Sequence, residues 1–204
     1  MSILDIGCGA ARDPKADAGL DFYPYPGVTI VHDVTSFPWP IPDQTYEGAI
    51  SHQLIEHLPH QNTAAGDDLF FRFFDEVWRI LKPGGTFSFD VPHHQWPATY
   101  NDPTHRRFFN EKSFTHLWTP ARDYLYTRKL WELVEIHTDR WIGGESVWNT
   151  WHLQHYVPRL ERALRRLPIG RVHYIYCTVR KPLADPAPSS AHRSPTGSPT
   201  ARPR

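Results

Sequence analysis

The residues with the most chemical promise fall into four groups. The first is a glycine turn flanked by acids. It reads Leu4-Asp5-Ile6-Gly7-Cys8-Gly9, and Asp21 closes the following run Gly19-Leu20-Asp21. Two glycines let a backbone turn tightly and let a ligand approach it closely. A carboxylate behind a second strand can accept from both hydroxyls of a ribose. The other groups are rich in histidine: Glu56-His57-Leu58-Pro59-His60, Val91-Pro92-His93-His94, and the polar run from Asn101 to Phe109. Histidine titrates near neutral pH, so His57, His93, His94 and His105 are the candidate catalytic bases. Asp102, Arg106 and Trp96 are candidate contacts for a polar or anionic substrate.

Two structural readings stay open beside these. Glu56 and His57 can fix a loop by hydrogen bonds, and an Asp–Arg pair can pin the 101–109 loop. Cys8 reads as a small buried residue rather than a nucleophile. His93, His94, His105 and Asp102 could ligate a metal by type, but their spacing matches no fixed ligand motif, so no metal is expected.

The elements that must position these groups alternate between strand and helix patterns. Ile3–Ile6, Val28–Val31, Gly48–Ser51, Thr86–Val91, Trp131–His137 and Val172–Val179 read as strands. Leu69–Leu81 has the helical period, with Phe70, Phe73, Phe74, Val77, Ile80 and Leu81 on one stripe. Lys82-Pro83-Gly84-Gly85 ends it, and Pro158–Leu167 is a second amphipathic helix. The expected fold is α/β: a Rossmann-like, mainly parallel sheet with helices on both faces and an antiparallel last strand. In such sheets ligands bind beyond the carboxyl ends of the strands, where the strand order reverses. The glycine turn and the first two histidine groups all follow strands.

Composition narrows the function. The chain has 204 residues, one domain's worth, with Lys plus Arg and Asp plus Glu both at 22. From Pro182 to Arg204 six of 23 residues are proline, and Ile, Val, Phe, Trp and Tyr are absent. Such a tail cannot bury enough apolar surface to fold. The expected division is therefore a folded domain over 1–181 and a disordered tail over 182–204. Residues 1–181 hold 19 basic against 21 acidic residues, a net charge of −2. That balance and the lack of a basic helix argue against a nucleic-acid partner. No apolar run is long enough to span a membrane, no secretory signal opens the chain, and two cysteines make no disulfide framework. A cytoplasmic protein acting on a small molecule is expected, with oligomeric state left open.

The glycine turn is not that of a dinucleotide site. Arg12 stands where a third glycine would be, and Gly9 to Asp21 is only 12 residues, against about 20 in the dinucleotide pattern. A cofactor without a pyrophosphate fits better. Taken together, Leu4–Gly9, Gly19–Asp21, Val31-His32-Asp33-Val34, Ser51–Leu58 and Leu81–Gly85 resemble the ordered motifs of the class I S-adenosylmethionine-dependent methyltransferases, in particular the small type 11-like domains.

That resemblance implies S-adenosylmethionine as cofactor and methyl transfer to an O, N or C atom of a small or medium polar substrate. It implies that Gly7, Cys8 and Gly9 line the methionine part, with Asp5 orienting it. It places Asp21 on the ribose, Phe22 against the adenine, and Asp33 with Val34 at the adenine edge. His52 and Gln53 would face cofactor and substrate. The first motif begins at residue 3, so the helices that precede it in the family are expected to be missing, and Ala10–Ala18 is too short and polar for the usual first crossover helix. A non-catalytic methyltransferase-like module is the main alternative, and a nicotinamide-dependent oxidoreductase a more remote one. Trp141–Leu153, with Gly143-Gly144 as hinge, is a candidate lid.

Overall fold

The computed structural model describes residues 2–61, 68–118, 129–141 and 171–183. The candidate lid beyond Trp141, the Pro158–Leu167 helix and the tail beyond Leu183 lie outside them. Among the described residues, seven strands form one sheet: β1 (Ile3–Ile6), β2 (Ala18–Asp21), β3 (Ile30–Val31), β4 (Tyr46–His52), β5 (Leu81–Pro92), β6 (Glu132–Trp141) and β7 (Arg171–Arg180). Their order across the sheet is β3-β2-β1-β4-β5-β7-β6. The strands from β3 to β5 pair in parallel, and β7 runs antiparallel to both β5 and β6. The order reverses between β1 and β4, so the loops after these two strands flank the crevice where a ligand belongs.

Period-two alternation sorts the two faces of this sheet. Leu4 lies beside Ala18 and Ala49, and Ala49 beside Phe87. This face is apolar. One residue further along each strand, Asp5 lies beside Gly19 and Ile50, Ile50 beside Ser88, and His52 beside Asp90. The acids near the carboxyl edge therefore fall on the face away from the aromatic core.

That core is built by α1 (Leu69–Ile80), the expected amphipathic helix. The Asp68 carboxylate caps its first turn by accepting from the Phe70 N–H at 2.8 Å. Phe73 and Phe74 are fully buried, and their rings lie 5.6 Å from Trp39 and 5.9 Å from Phe87 respectively. On the helix flank, the buried Glu76 accepts from Trp39 N–H at 2.8 Å and from the Arg79 guanidinium at 2.7 Å. Arg79 also donates to the Ile41 carbonyl at 2.7 Å. This pair fastens the otherwise irregular 39–43 segment to the helix.

The helix ends one residue earlier than its apolar stripe. Leu81 is already extended and opens β5. Lys82–Gly85 is a bulge within that strand, since Tyr46 pairs with Leu81 but Gly48 pairs with Thr86. Gly84 has φ +79° there, a conformation that favours glycine. The carbonyls left open at the helix end are met by Lys181, whose buried ammonium donates to Trp78 and Leu81 at 3.0 and 2.7 Å. The connections from β1 to β2 and from β2 to β3 contain no helix, as the short polar Ala10–Ala18 segment implied. A second helix, α2 (Glu111–Leu117), starts at a reciprocal capping box between Asn110 and Ser113.

Truncating Phe73 to alanine removes a fully buried ring from the contact between α1, Trp39 and Phe87. Urea unfolding of Phe73→Ala should show a loss of about 3–5 kcal/mol. A loss under 1 kcal/mol would place the core elsewhere.

Candidate functional site

The glycine turn after β1 is held from three sides. Gly7 and Cys8 donate backbone N–H groups to the Leu20 carbonyl at 2.8 and 3.3 Å. Gly7 has φ +74°, and a Cβ there would meet Leu54 at 2.9 Å. Gly9 has φ +55° and open space where its Cβ would stand. Its N–H donates to Asp21 Oδ2 at 2.8 Å, while Asp21 Oδ1 accepts from the Tyr23 N–H at 3.0 Å. The open side of Gly9 and the Asp21 carboxylate thus adjoin. Beside them Phe22, Tyr23 and Tyr25 are exposed, and the Phe22 and Tyr23 rings meet edge to face at 4.9 Å.

Asp5, under the turn, is 2% exposed. Its Oδ2 accepts from the Asp13 N–H at 2.8 Å, but its Oδ1 has no hydrogen-bond partner. Burial raises its pKa. An orphaned buried carboxylate oxygen is one that a proton or a cationic or amino ligand answers. The turn, Asp5 and Asp21 therefore fit a cofactor with an amino acid end and a ribose. Cys8 is buried, and burial pushes its thiol up to about 11, which leaves it protonated and poorly nucleophilic.

At the third strand, Asp33 Oδ1 accepts from the backbone N–H and hydroxyl of Thr35 at 2.8 and 2.7 Å. The Val34 carbonyl accepts from the Trp39 indole at 3.1 Å. Asp33 is thus a turn former, whatever else it holds.

His52 ends β4, Gln53 follows it, and both are tied to one residue the motifs did not single out, Asp90 on β5. His52 Nδ1 and the Gln53 amide each bond a different oxygen of that carboxylate. Gln53 adopts φ +50° in doing so, and its N–H donates to the Asp90 carbonyl at 3.2 Å. His52 Nε2 faces Asp13 Oδ2 at 3.3 Å. The chain Asp13–His52–Asp90–Gln53 closes the loop after β1 onto the ends of β4 and β5. The Asp90 hydrogen bond, opposed by partial burial, raises the His52 pKa to about 9.

The third region is a 3₁₀ turn at Ile55–His57 roofed by the 101–109 loop. The Glu56 carbonyl accepts from the N–H groups of Arg106 and Arg107 at 2.7 and 3.0 Å. Arg107, not Arg106, anchors the loop. Its guanidinium donates to the Leu58 and Pro59 carbonyls and to Asp68, each at 3.1 Å, and lies 4.6 Å over the Phe70 ring. The Asp–Arg pair that the loop uses is therefore Asp68–Arg107. The Arg106 side chain is exposed. Asp102 Oδ1 accepts from the Thr104 hydroxyl at 2.6 Å, and that hydroxyl lies 2.9 Å from His57 Nδ1. His105 Nδ1 donates to the Thr99 carbonyl at 2.7 Å. The His57 and His105 rings meet edge to face at 4.7 Å.

The histidines of the third group sit differently. His93 is buried, its Nδ1 accepts from the Gln95 N–H at 3.1 Å, and its Nε2 lies 3.4 Å from Glu111. His94 is partly exposed, its ring lies 4.7 Å from that of His93 at a tilt of 44°, and its carbonyl accepts from the Tyr100 hydroxyl at 3.0 Å. Trp96 stacks on His173 at 4.9 Å. The fold therefore groups His57, His105 and Asp102, and leaves His93, His94 and Trp96 as a neighbouring set against β7. Asp90 and Thr104 were missed because nothing local marks them. Asp90 is one more polar residue in an alternating strand, and Thr104 acquires its partner across 47 residues.

No protein-family model matches the chain. A curated relative, a probable S-adenosylmethionine-dependent methyltransferase of Mycolicibacterium smegmatis, is 28% identical over 141 residues, covering 58% of this chain and 50% of that protein. The chain thus spans about half the length of the curated relative it matches. Among solved structures, a SAM-dependent methyltransferase from Archaeoglobus fulgidus superposes with a TM-score of 0.55 at 15% identity, covering 88% of this chain and 86% of that one. The 1,6-didemethyltoxoflavin-N1-methyltransferase of Burkholderia thailandensis, solved with bound 1,6-didemethyltoxoflavin and S-adenosylhomocysteine, gives 0.52 at 16% identity over 89% and 71%. A methyltransferase from Methanosarcina mazei gives 0.50 at 16% identity over 90% and 93%. These likenesses, with the strand order above, establish the class I S-adenosylmethionine-dependent methyltransferase fold.

The raised His52 pKa makes stability depend on pH. An unfolded histidine titrates near 6.5, so the stabilisation from the charged His52–Asp90 pair is complete below about pH 6.5 and is lost as pH rises through about 9. The urea midpoint should fall over that window in the wild type and fall less in His52→Gln. Equal slopes for the two proteins would show that the pair does not titrate in this way.

Proposed function

We propose that this domain binds S-adenosylmethionine at the β1–β4 switch point and transfers its methyl group to a small polar acceptor. The observation that carries this reading is the cradle of Gly9, Asp21 and Asp5. One glycine is open on its ligand side, one carboxylate stands beside it, and one buried carboxylate oxygen lacks a partner. The fold and the curated relative support the same reading. The cofactor, when bound, supplies a methyl group on a positively charged sulfur.

The chain's own residues do the rest. Asp21 has lone pairs left for both ribose hydroxyls after accepting from Gly9 and Tyr23. The exposed ring of Phe22 offers an apolar face to an adenine, and Asp33 with Val34 stands at the third strand's end for its edge. Asp5 holds the amino group at the methionine end. His52 and Gln53, braced by Asp90, close the carboxyl edge of β4 beside this cradle, where negative carboxylates favour a sulfonium. Substrate would enter between this edge and the 101–109 loop, with Asp102, Arg106 and the stacked Tyr100–Phe108 pair (rings 4.9 Å apart) as its first contacts. Holding two reactants in line and excluding water can supply about 7–11 kcal/mol of the barrier in such displacements. A small-molecule acceptor, a cytoplasmic setting, the 1–181 domain and the 182–204 tail belong to the same reading.

Calorimetry with S-adenosylhomocysteine tests it. The wild type should bind one equivalent, and Asp21→Ala should weaken binding by roughly 10- to 100-fold, the worth of hydrogen bonds to a charged group. No binding at millimolar ligand, or an unchanged affinity in Asp21→Ala, would defeat the proposal. Competition by a nicotinamide dinucleotide would point to hydride chemistry instead.

A further inference from the structure

Glu56 is fully buried, and neither oxygen of its carboxylate has a hydrogen-bond partner. A desolvated carboxyl group left this way is costly unless a cation or a proton answers it. Its surroundings are specific. One oxygen of Glu56 and one ring nitrogen each of His57 and His105 all lie within 4.8 Å of one another.

The hydrogen bonds around the two imidazoles set which nitrogens are available. The Thr99 carbonyl can only accept, so His105 Nδ1 carries the proton and Nε2 keeps its lone pair. The Thr104 hydroxyl spends its proton on Asp102, so it accepts from His57 Nδ1–H, and Nε2 of His57 keeps its lone pair. Each imidazole is thus oriented through Nδ1 by an oxygen, one a carbonyl and one a hydroxyl backed by a carboxylate. This is the outer-shell arrangement typical of metal-binding histidines. Asp102 Oδ2 stands 3.9 Å from His105 Nε2.

We infer that Glu56, His57 and His105 form a binding site for one divalent transition-metal ion, zinc-like in its ligand choice. Two neutral imidazoles and one carboxylate are a donor set that zinc accepts with a position left open for water or an acceptor oxygen. Tetrahedral bonds of 2.0–2.1 Å need donors roughly 3.3 Å apart, so groups now within 4.8 Å of one another close by up to about 1.5 Å on binding. Small rotations of the imidazoles about their Nδ1 hydrogen bonds supply this. The expectation of no metal considered His93, His94, His105 and Asp102. The fold separates the first two and brings Glu56 and His57 to His105 instead. The inference stands apart from methyl transfer, because it concerns ion binding by the chain without cofactor.

The experiment uses the full chain, freed of metal by chelation and with no cofactor present. Titration with Co²⁺ should give a saturable visible ligand-field band at one equivalent, and Zn²⁺ should displace it. Zinc affinity should fall at least about tenfold in both Glu56→Gln and His105→Ala, and should be unchanged in His137→Ala, an exposed control. Thr104→Val, an exposed change that removes the hydroxyl linking Asp102 to His57 and leaves the three ligand side chains in place, should lower it by roughly 10-fold. Absence of the cobalt band in the wild type overturns the inference without any variant having to fold. So does a zinc affinity that either Glu56→Gln or His105→Ala leaves unchanged. In that case Glu56 is a protonated acid that packs the turn.

Discussion

A carboxylate removed from water must be answered by a donor, a cation or a proton, and the carboxyl edge of this sheet is organised around three that are. Asp90 is answered twice, by His52 and by Gln53. Asp5 is answered at one oxygen only, by the Asp13 N–H. Glu56 is answered at neither, and burial pushes its pKa to about 8. The three describe a gradient from closed structure to open site. Asp90 locks the strand ends together, Asp5 leaves one oxygen unmet, and Glu56 leaves two.

Such an edge is affordable because the opposite face of the sheet is densely aromatic. Phe73, Phe74, Phe87, Phe89 and Phe114 are all buried, and their rings lie within contact of one another or of Trp39 and Trp118. Burial of large aromatic side chains is the strongest single source of stability open to a domain of this size. It lets polar groups with unmet bonds persist at the rim. The same packing fixes the loops. Arg107 lies over Phe70 of α1 while its guanidinium gathers the carbonyls of Leu58 and Pro59. The helix that completes the core therefore also holds the roof of the histidine group.

Two other placements follow from packing rather than chemistry. Lys181 is buried because the carbonyls at the end of α1 and the Trp78 face give its charge partners. His93 lies inside because the loop after β5 turns under Phe109, with which it forms an isolated bridge. A histidine that a strand-end position recommends as a base is thereby committed to a hydrogen bond with the Gln95 N–H and a 3.4 Å contact with Glu111.

Local pattern was enough for the frame. An apolar run ending in Gly7, the helical stripe of Leu69–Leu81 and the alternation of Thr86–Val91 each reflect a period that one element imposes on its own residues. The observed Ile3–Ile6 matches its expectation and Leu69–Ile80 stops one residue short, while the strand Leu81–Pro92 extends back through the expected Lys82–Gly85 stop. The glycine turn and Asp21 were legible for the same reason, because a strand, a tight turn and the next strand's end are near in the chain. Only the tertiary structure decided which polar groups meet. Asp90 reaches His52 across 38 residues, and Thr104 reaches His57 across 47. Glu56 stood in a histidine-rich group of chemical promise, but only closure of the 101–109 segment over the turn decided which groups surround its carboxylate. Periodicity records which side of an element faces inward, but a site is made where edges of several elements converge. That convergence depends on strand order and on loop closure, neither of which leaves a repeating mark in the chain.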